Sequence, residues 1–420
     1  MPGQLLEQGT GTELLLQKLV SRETIILADT LHLETISMND PDGTVLNLQK
    51  VFQAVTERKL DFQVWAATKI VLDRWRQEKS ATSTTRTREE HVVTAIEQLF
   101  FELGMEMRDR APGPHIALID PRNHNDTSAL VVSAQRTYAL FRKNGVKKED
   151  IMISIPATEA GIRATKHLQT MEDKIKVNLY MVTSLMHTAA CVEANATMIT
   201  VPVGPLLKIF EDRQRTLKNA SSCHSGVEEI QSMFEYLKKK EIRTKAIGTS
   251  FRNMTELGLL SDFFAVCVSP EQIQRLKGGA RVPITSLKGS SDIAKQRGQE
   301  AKYPTSLLTK EGGAWFSGAS RSVINGVLFL ALTEMKQEME LIEHYVEQEV
   351  IQQFELDALH LSTVYRQQDW AEKILKETEN NSVLDTSVDE PRNEAHGADL
   401  EKISRKSHPT KLEQDVDDIF

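Results

Sequence analysis

The sequence predicts an α/β protein: a (β/α)8 TIM barrel with extra N- and C-terminal helices and a disordered C-terminal tail. Three observations carry that prediction. Short β-branched runs alternate with helical stretches from residue 115 onward, the connections are short, and the runs number eight once the N-terminal ones are added. Strand–helix alternation with short links means parallel strands covered by helices, and eight units favour a closed barrel over an open sheet. No GxGxxG opens a helix after the first strand, and no GxxxxGK precedes a Ser or Thr, so a nucleotide-binding sheet has little support.

In chain order, the strands are expected at residues 23–29, 43–46 (poorly marked), 115–120, 151–156, 176–182, 197–203, 243–248 and 264–268. Helices are expected at 127–144, 159–169, 184–195 with Ser184 as N-cap, 227–240 and 253–260. Residues 77–90 read as a surface insertion between helices. A run over 320–350 places Met335, Met339, Ile342, Val346 and Val350 at helical spacing, an apolar stripe for packing against the barrel. A shorter helix follows at about 355–376. Beyond it the chain is rich in Glu, Asp, Ser, Asn and Lys, with Phe420 its only aromatic. Such a segment buries too little apolar surface to offset its ordering entropy, so it is expected to be disordered. The expected organisation is a barrel over 1–352, an additional helix over 353–376 and a polar tail over 377–420.

Composition narrows the function. The 420 residues are 40% hydrophobic and 26% charged, enough for a large core. The net charge of −8, from 51 basic and 59 acidic residues, argues against nucleic-acid binding, which needs a basic face. No stretch reaches the ~18–20 apolar residues of a membrane helix. The best run, 324–332, contains Asn325 and Gly326, and Glu7 and Glu13 spoil a secretory layout. Cys191, Cys223 and Cys267 make no disulfide framework and no CxxC pair. The expectation is a reduced, cytoplasmic protein that needs no cofactor or metal, meets neither nucleic acid nor membrane, and takes a small carbonyl or sugar-phosphate-like substrate. A homodimer is the assembly considered.

Barrel chemistry sits at the C-terminal ends of the strands. The candidates there are Asp29; Thr44 and Leu46; Asp120, with His124 and Asp126 beyond it; Ser154 and Pro156; Asn178 and Tyr180; Thr200 and Pro202; Ser250 and Arg252; and Ser269. Alternation turns Ile151, Ile153 and Ile155 toward the helices, leaving Met152, Ser154 and Pro156 toward the axis. It likewise puts Asn178 and Tyr180 on one face, flanked by Val177 and Leu179. His187 and Cys191, four apart on one helix, read as packing more readily than as metal ligands.

Several segments then resemble the transaldolase family: Ile-Pro-Ala-Thr-Glu-Ala-Gly-Ile-Arg-Ala at 155–164, Asn-Leu-Tyr-Met-Val-Thr-Ser at 178–184, Ala-Cys-Val-Glu-Ala at 190–194 and Val-Pro-Val-Gly at 201–204. The stretches 248–253, 27–30, 120–122 and 126–127 are similar to its seventh-, first- and third-strand motifs. The resemblance covers roughly residues 20–350 in one order. It implies a barrel that moves a dihydroxyacetone unit between sugar phosphates through a Schiff base on a fourth-strand lysine. At that position this chain has Ser154, and a hydroxyl forms no imine. Lys176 and Lys245 lie at the opposite strand ends, which leaves Lys208 as the nearby candidate.

By the same resemblance, Leu46 stands for an asparagine, Leu118 for a glutamate, Tyr180 for a threonine, Thr200 for a serine and Pro205 for a phosphate-binding arginine. Asp29, Thr44, Asn178, Ser250 and Arg252 are kept. Asp29 would be the acid/base carboxylate, Asn178 a hydroxyl-orienting amide, and Ser250 with Arg252 half of a phosphate site. The resulting candidates are Asp29, Asn178 and Ser154 for catalysis, and Thr44, Tyr180, Thr200, Ser250 and Arg252 for substrate. Three readings follow. One is a repurposed enzyme for aldol-type or related carbonyl chemistry in a specialised biosynthetic pathway. The others are a non-catalytic ligand- or partner-binding barrel, and an ordinary transaldolase of the pentose phosphate pathway.

Overall fold

The computed structural model describes residues 12–81, 87–217, 224–283, 292–303 and 318–382. Eight parallel strands close into a barrel in chain order: β1 (Ile25–Ala28), β2 (Gly43–Val45), β3 (His115–Leu118), β4 (Ile151–Pro156), β5 (Val177–Tyr180), β6 (Met198–Pro202), β7 (Lys245–Thr249) and β8 (Ala265–Val268). Closure is made by β1 on β8, with Ile25 opposite Ala265 and Ala28 opposite Val268. All eight expected strands are present, most of them a residue or two shorter.

The alternation of side chains builds two cores. Ile151, Ile153 and Ile155 join Val177, Leu179, Ile199 and Val201 beneath the helices. Met152 joins Leu27, Ile116, Ile247 and Cys267 inside the barrel. Polar side chains start the helices that follow the strands. Thr158 accepts from Gly161 N, Ser184 from His187 N, Asn253 from Glu256 N and Asp126 from Ala129 N. Each such cap contributes about 1 kcal/mol and fixes where the chain leaves the strand end.

Three features depart from expectation. Directly after β6 the chain forms a helix over Val203–Leu217, before the expected one, seen at Ser225–Leu237. Pro205 is compatible with it because first-turn N–H groups have no intrahelical partner. Thr12–Leu14 pairs antiparallel with Arg281–Pro283, a ribbon too short to leave any periodicity in the sequence. At the C-terminal end there is no break near residue 353: Gly318–Ile324 passes through one π-helical turn, Asn325–Phe329, into a helix over Leu330–Ser382. Gly326 marks the close approach in that turn, since a Cβ there would meet Ile209 Cδ1 at 2.7 Å.

The chain divides into two units, Met1–Leu356 with the barrel and Asp357–Phe420. Helix supplies the described part of the second unit as far as Ser382. The rest of the expected tail, 383–420, lies outside the described residues, as do 82–86 of the expected insertion and Cys223. Within the first unit, the predicted stripe seats the C-terminal helix. Met339, Ile342, Val346 and Val350 are fully buried against Val92, Ala95, Ile96 and Leu99 of the helix Arg88–Arg108. At about 1.5–3 kcal/mol per buried side chain, that contact fixes the helix across the barrel mouth.

Candidate active site

A pocket of about 320 Å³ opens at the C-terminal mouth. Strand ends form its floor and walls, and Ala331, Glu334, Met335 and Glu338 of the C-terminal helix form its cover. Leu46, Leu118, Ile116, Ile247 and Met335 make it largely apolar, and no Lys, Arg or His is among the described residues that line it.

One wall is a neutral hydrogen-bonded ladder. Thr200 Oγ1 donates to Asn178 Oδ1 at 2.8 Å, and Asn178 Nδ2 donates to Ser154 Oγ at 3.0 Å. Ser154 and Asn178 sit opposite each other in the β4–β5 register. Both are nearly inaccessible, at 7% and 3%. In this chain the Ser154 hydroxyl accepts from the amide, and its own proton is not used in the ladder. Tyr180, 8% exposed, reaches past the ladder to the C-terminal helix, and its hydroxyl meets the Met335 sulfur at 3.9 Å. Burial, then the nearby Asp120 charge, pushes its phenol well above the ordinary range, so it stays a proton donor.

Asp29 leaves β1 at the mouth and stands one layer behind the lining. Its Oδ1 accepts from Asn47 Nδ2 at 2.9 Å. Burial raises its pKa, while the Asn47 bond and the Lys50 charge pull it back. Asn47 lines the pocket and caps the helix Leu48–Thr56 through Gln49 N. Sequence reasoning missed it. An asparagine directly before an apolar helical run is an N-cap signal, and here the amide comes one residue after Leu46. Cys267 also lines the pocket, its thiol raised first by burial and then by the Asp29 carboxylate.

The Arg252 side chain is not brought into the pocket. Its Nη atoms donate to both Glu211 carboxylate oxygens, at 2.6 and 3.0 Å, and its Nε donates to Glu256 Oε1 at 2.5 Å. The guanidinium fork is thus closed between two carboxylates, and Glu211 is held down to about 2 chiefly by the Arg252 bonds. A phosphate would have to displace both partners, which weighs against the expected phosphate site of Ser250 with Arg252. Ser250 itself lines the pocket with φ +58°, as does Met181 with φ +65°. Left-handed backbone at an L-residue costs roughly 1–2 kcal/mol, and here it lies at two strand exits of the mouth.

Thr44, expected toward the substrate, is not among the described residues that line the pocket. Its neighbour Val45 faces the pocket, so Thr44 faces outward, where its hydroxyl meets His115 Nδ1 at 2.9 Å under the helices. Burial drives that imidazole down to about 3, so the contact is a neutral tie. His124 turns its ring against Phe329 instead of into the pocket. His187 is buried, lowered to about 4 by burial, and donates from Nε2 to Ala157 O at 2.6 Å, tying its helix to the β4 exit. Cys191 is buried on the same helix. Asp120 holds Arg122, which also pairs with Glu343 of the C-terminal helix.

The lysines lie elsewhere. Lys176 donates to Glu149 O at 2.8 Å, Lys245 sits over the Phe264 ring, and Lys208 is exposed on the helix after β6. Lys50, not considered from sequence, is the lysine whose charge acts on Asp29. Leu46, Leu118 and Pro205 all line the pocket.

Comparison with known proteins agrees with this architecture. The model of the family transaldolase/fructose-6-phosphate aldolase matches residues 66–313. A probable transaldolase of Dictyostelium discoideum is 30% identical over 278 residues, 65% of this chain and 83% of that protein. The transaldolase of Saccharomyces cerevisiae is 28% identical over 295 residues, 69% and 84% of the two chains. A probable transaldolase of Drosophila melanogaster is 28% identical over 284 residues, 67% and 82%. With an eight-stranded barrel, the motif order and matches of this extent, the chain is a member of the transaldolase/fructose-6-phosphate aldolase family.

Proposed function

We propose that this family barrel is repurposed for carbonyl chemistry that passes through an enol or enolate and uses no lysine imine. The observation that carries the reading is the wall of the pocket: a Ser154 hydroxyl bonded to Asn178 where the resemblance puts the Schiff-base lysine, in a lining whose described residues include no basic side chain. Asp29, one layer behind the lining, takes the proton from the carbon beside the carbonyl through one bridging water, and the electron pair moves to the carbonyl oxygen. The Ser154 and Tyr180 hydroxyls donate to that oxyanion, and the proton returns from Asp29 to carbon or, after addition to an aldehyde, to the new alkoxide. Burial favours both roles, because it raises a carboxylate toward a useful base and keeps a phenol protonated.

The test is deuterium uptake into a phosphate-free ketone, dihydroxyacetone, followed by NMR in heavy water. We expect exchange about 100-fold above the buffer rate, the low end of general-base catalysis, and its loss in Asp29→Asn. Exchange at the buffer rate, or an unaffected Asp29→Asn protein, contradicts the proposal. The relatives' names favour a second reading, transfer of dihydroxyacetone between sugar phosphates; the closed Arg252 fork weighs against it.

A further inference from the structure

Glu334 and Glu338 stand one helical turn apart on the C-terminal helix, and both line the mouth pocket. Like charges at that spacing repel, and the Glu338 carboxyl is raised above its ordinary range by burial first and by Glu334 second. Neither has an ion-pair partner among the described residues, although Lys336 on the same helix pairs outward with Glu340. A second, independent observation points into the same space. The Tyr180 hydroxyl, on a side chain more than nine-tenths buried, meets no oxygen or nitrogen among the described residues, only the Met335 thioether. Between these polar ends lie the apolar surfaces of Leu46, Leu118 and Met335.

We propose that the pocket binds an amine-bearing molecule. The protonated amine sits between Glu334 and Glu338, the apolar body lies on Leu46 and Leu118, and a hydroxyl or carbonyl faces Tyr180 and Ser154. A phosphate monoester, a dianion, meets two carboxylates at the cover and no cation in the described lining, so the sign of the charge disfavours it. The inference rests on reading the mouth pocket as the functional site, and it fixes the charge class of what enters.

The test is calorimetric titration of the full-length protein with 2-phenylethylamine, its neutral N-acetyl derivative and phenyl phosphate. We expect the amine to bind roughly tenfold tighter than the amide, a difference of about 1.4 kcal/mol, and phenyl phosphate to give no binding heat. Glu338→Gln should weaken the amine by several-fold and leave the amide unchanged, and Glu334→Gln should do the same to a smaller extent. Both positions lie on the cover and not in the core, so melting curves of the variants should match the parent.

Equal binding of amine and amide, absence of amine binding, binding of phenyl phosphate, or two glutamine variants that hold the amine like the parent would each overturn the proposal. Deuterium exchange reads a different property. Loss of exchange with the amine preference intact removes only the proton-transfer reading, and the converse result removes only this one.

Discussion

Along β4 to β6 the mouth is lined by neutral groups tied to one another, Thr200 to Asn178 to Ser154, whereas beyond β7 Arg252 is closed between Glu211 and Glu256. The two sides are the same barrel mouth built from opposite materials. The neutral side is buried, where an unpaired amide costs most, yet the Ser154 hydroxyl only accepts within the ladder and its own proton is not used there. The charged side is wetter, and its cation is neutralised within the protein. The difference teaches that an arginine matched to a family motif is not evidence of an anion site until its partners are known. Here the groups left to meet a ligand are hydroxyls and carboxylates, not cations.

The comparison can be broken by removing the centre of each side. Asn178→Leu strips the ladder of both bonds and leaves two hydroxyls in an apolar wall. It should lower unfolding stability by about 2–4 kcal/mol, read by urea denaturation. A loss below about 0.5 kcal/mol would mean that the ladder is not formed.

Arg252→Met should cost less, about 1–2 kcal/mol at pH 7, because the guanidinium is 40% exposed and solvent screens it. Its pH dependence has a definite sign. Glu211 is depressed from 4.5 to about 2, so the stability it gains from Arg252 is fully present above pH 4.5 and disappears as pH falls toward 2. The gap between parent and Arg252→Met should therefore close over that window. A gap constant from pH 7 to 2 would show that the pairing contributes nothing.

Much of this fold is written locally in the chain. Ile151, Ile153 and Ile155 announce a strand and its buried face, and the same alternation places Ser154, Asn178 and Tyr180 together inside. Ser184 and Asn253 mark helix starts that the structure shows. What could not be read is what depends on contacts between distant segments. Glu256 lies four residues from Arg252 and could have been paired with it from spacing, but Glu211 comes from another helix 41 positions away. Glu334 and Glu338 flank a legible stripe, yet nothing in their spacing says that the helix crosses the mouth. Thr44 cannot be oriented from the sequence because β2 is only three residues long, too short for alternation to fix its inward face.

The central claim, a family barrel whose mouth works without an imine, is tested most directly by borohydride reduction of the full-length protein with phosphate-free dihydroxyacetone, followed by peptide mass mapping. The account predicts that no lysine gains the mass of a reduced three-carbon adduct. A stoichiometric adduct on any lysine, Lys50 beside Asp29 or Lys208 beyond β6 included, would contradict it.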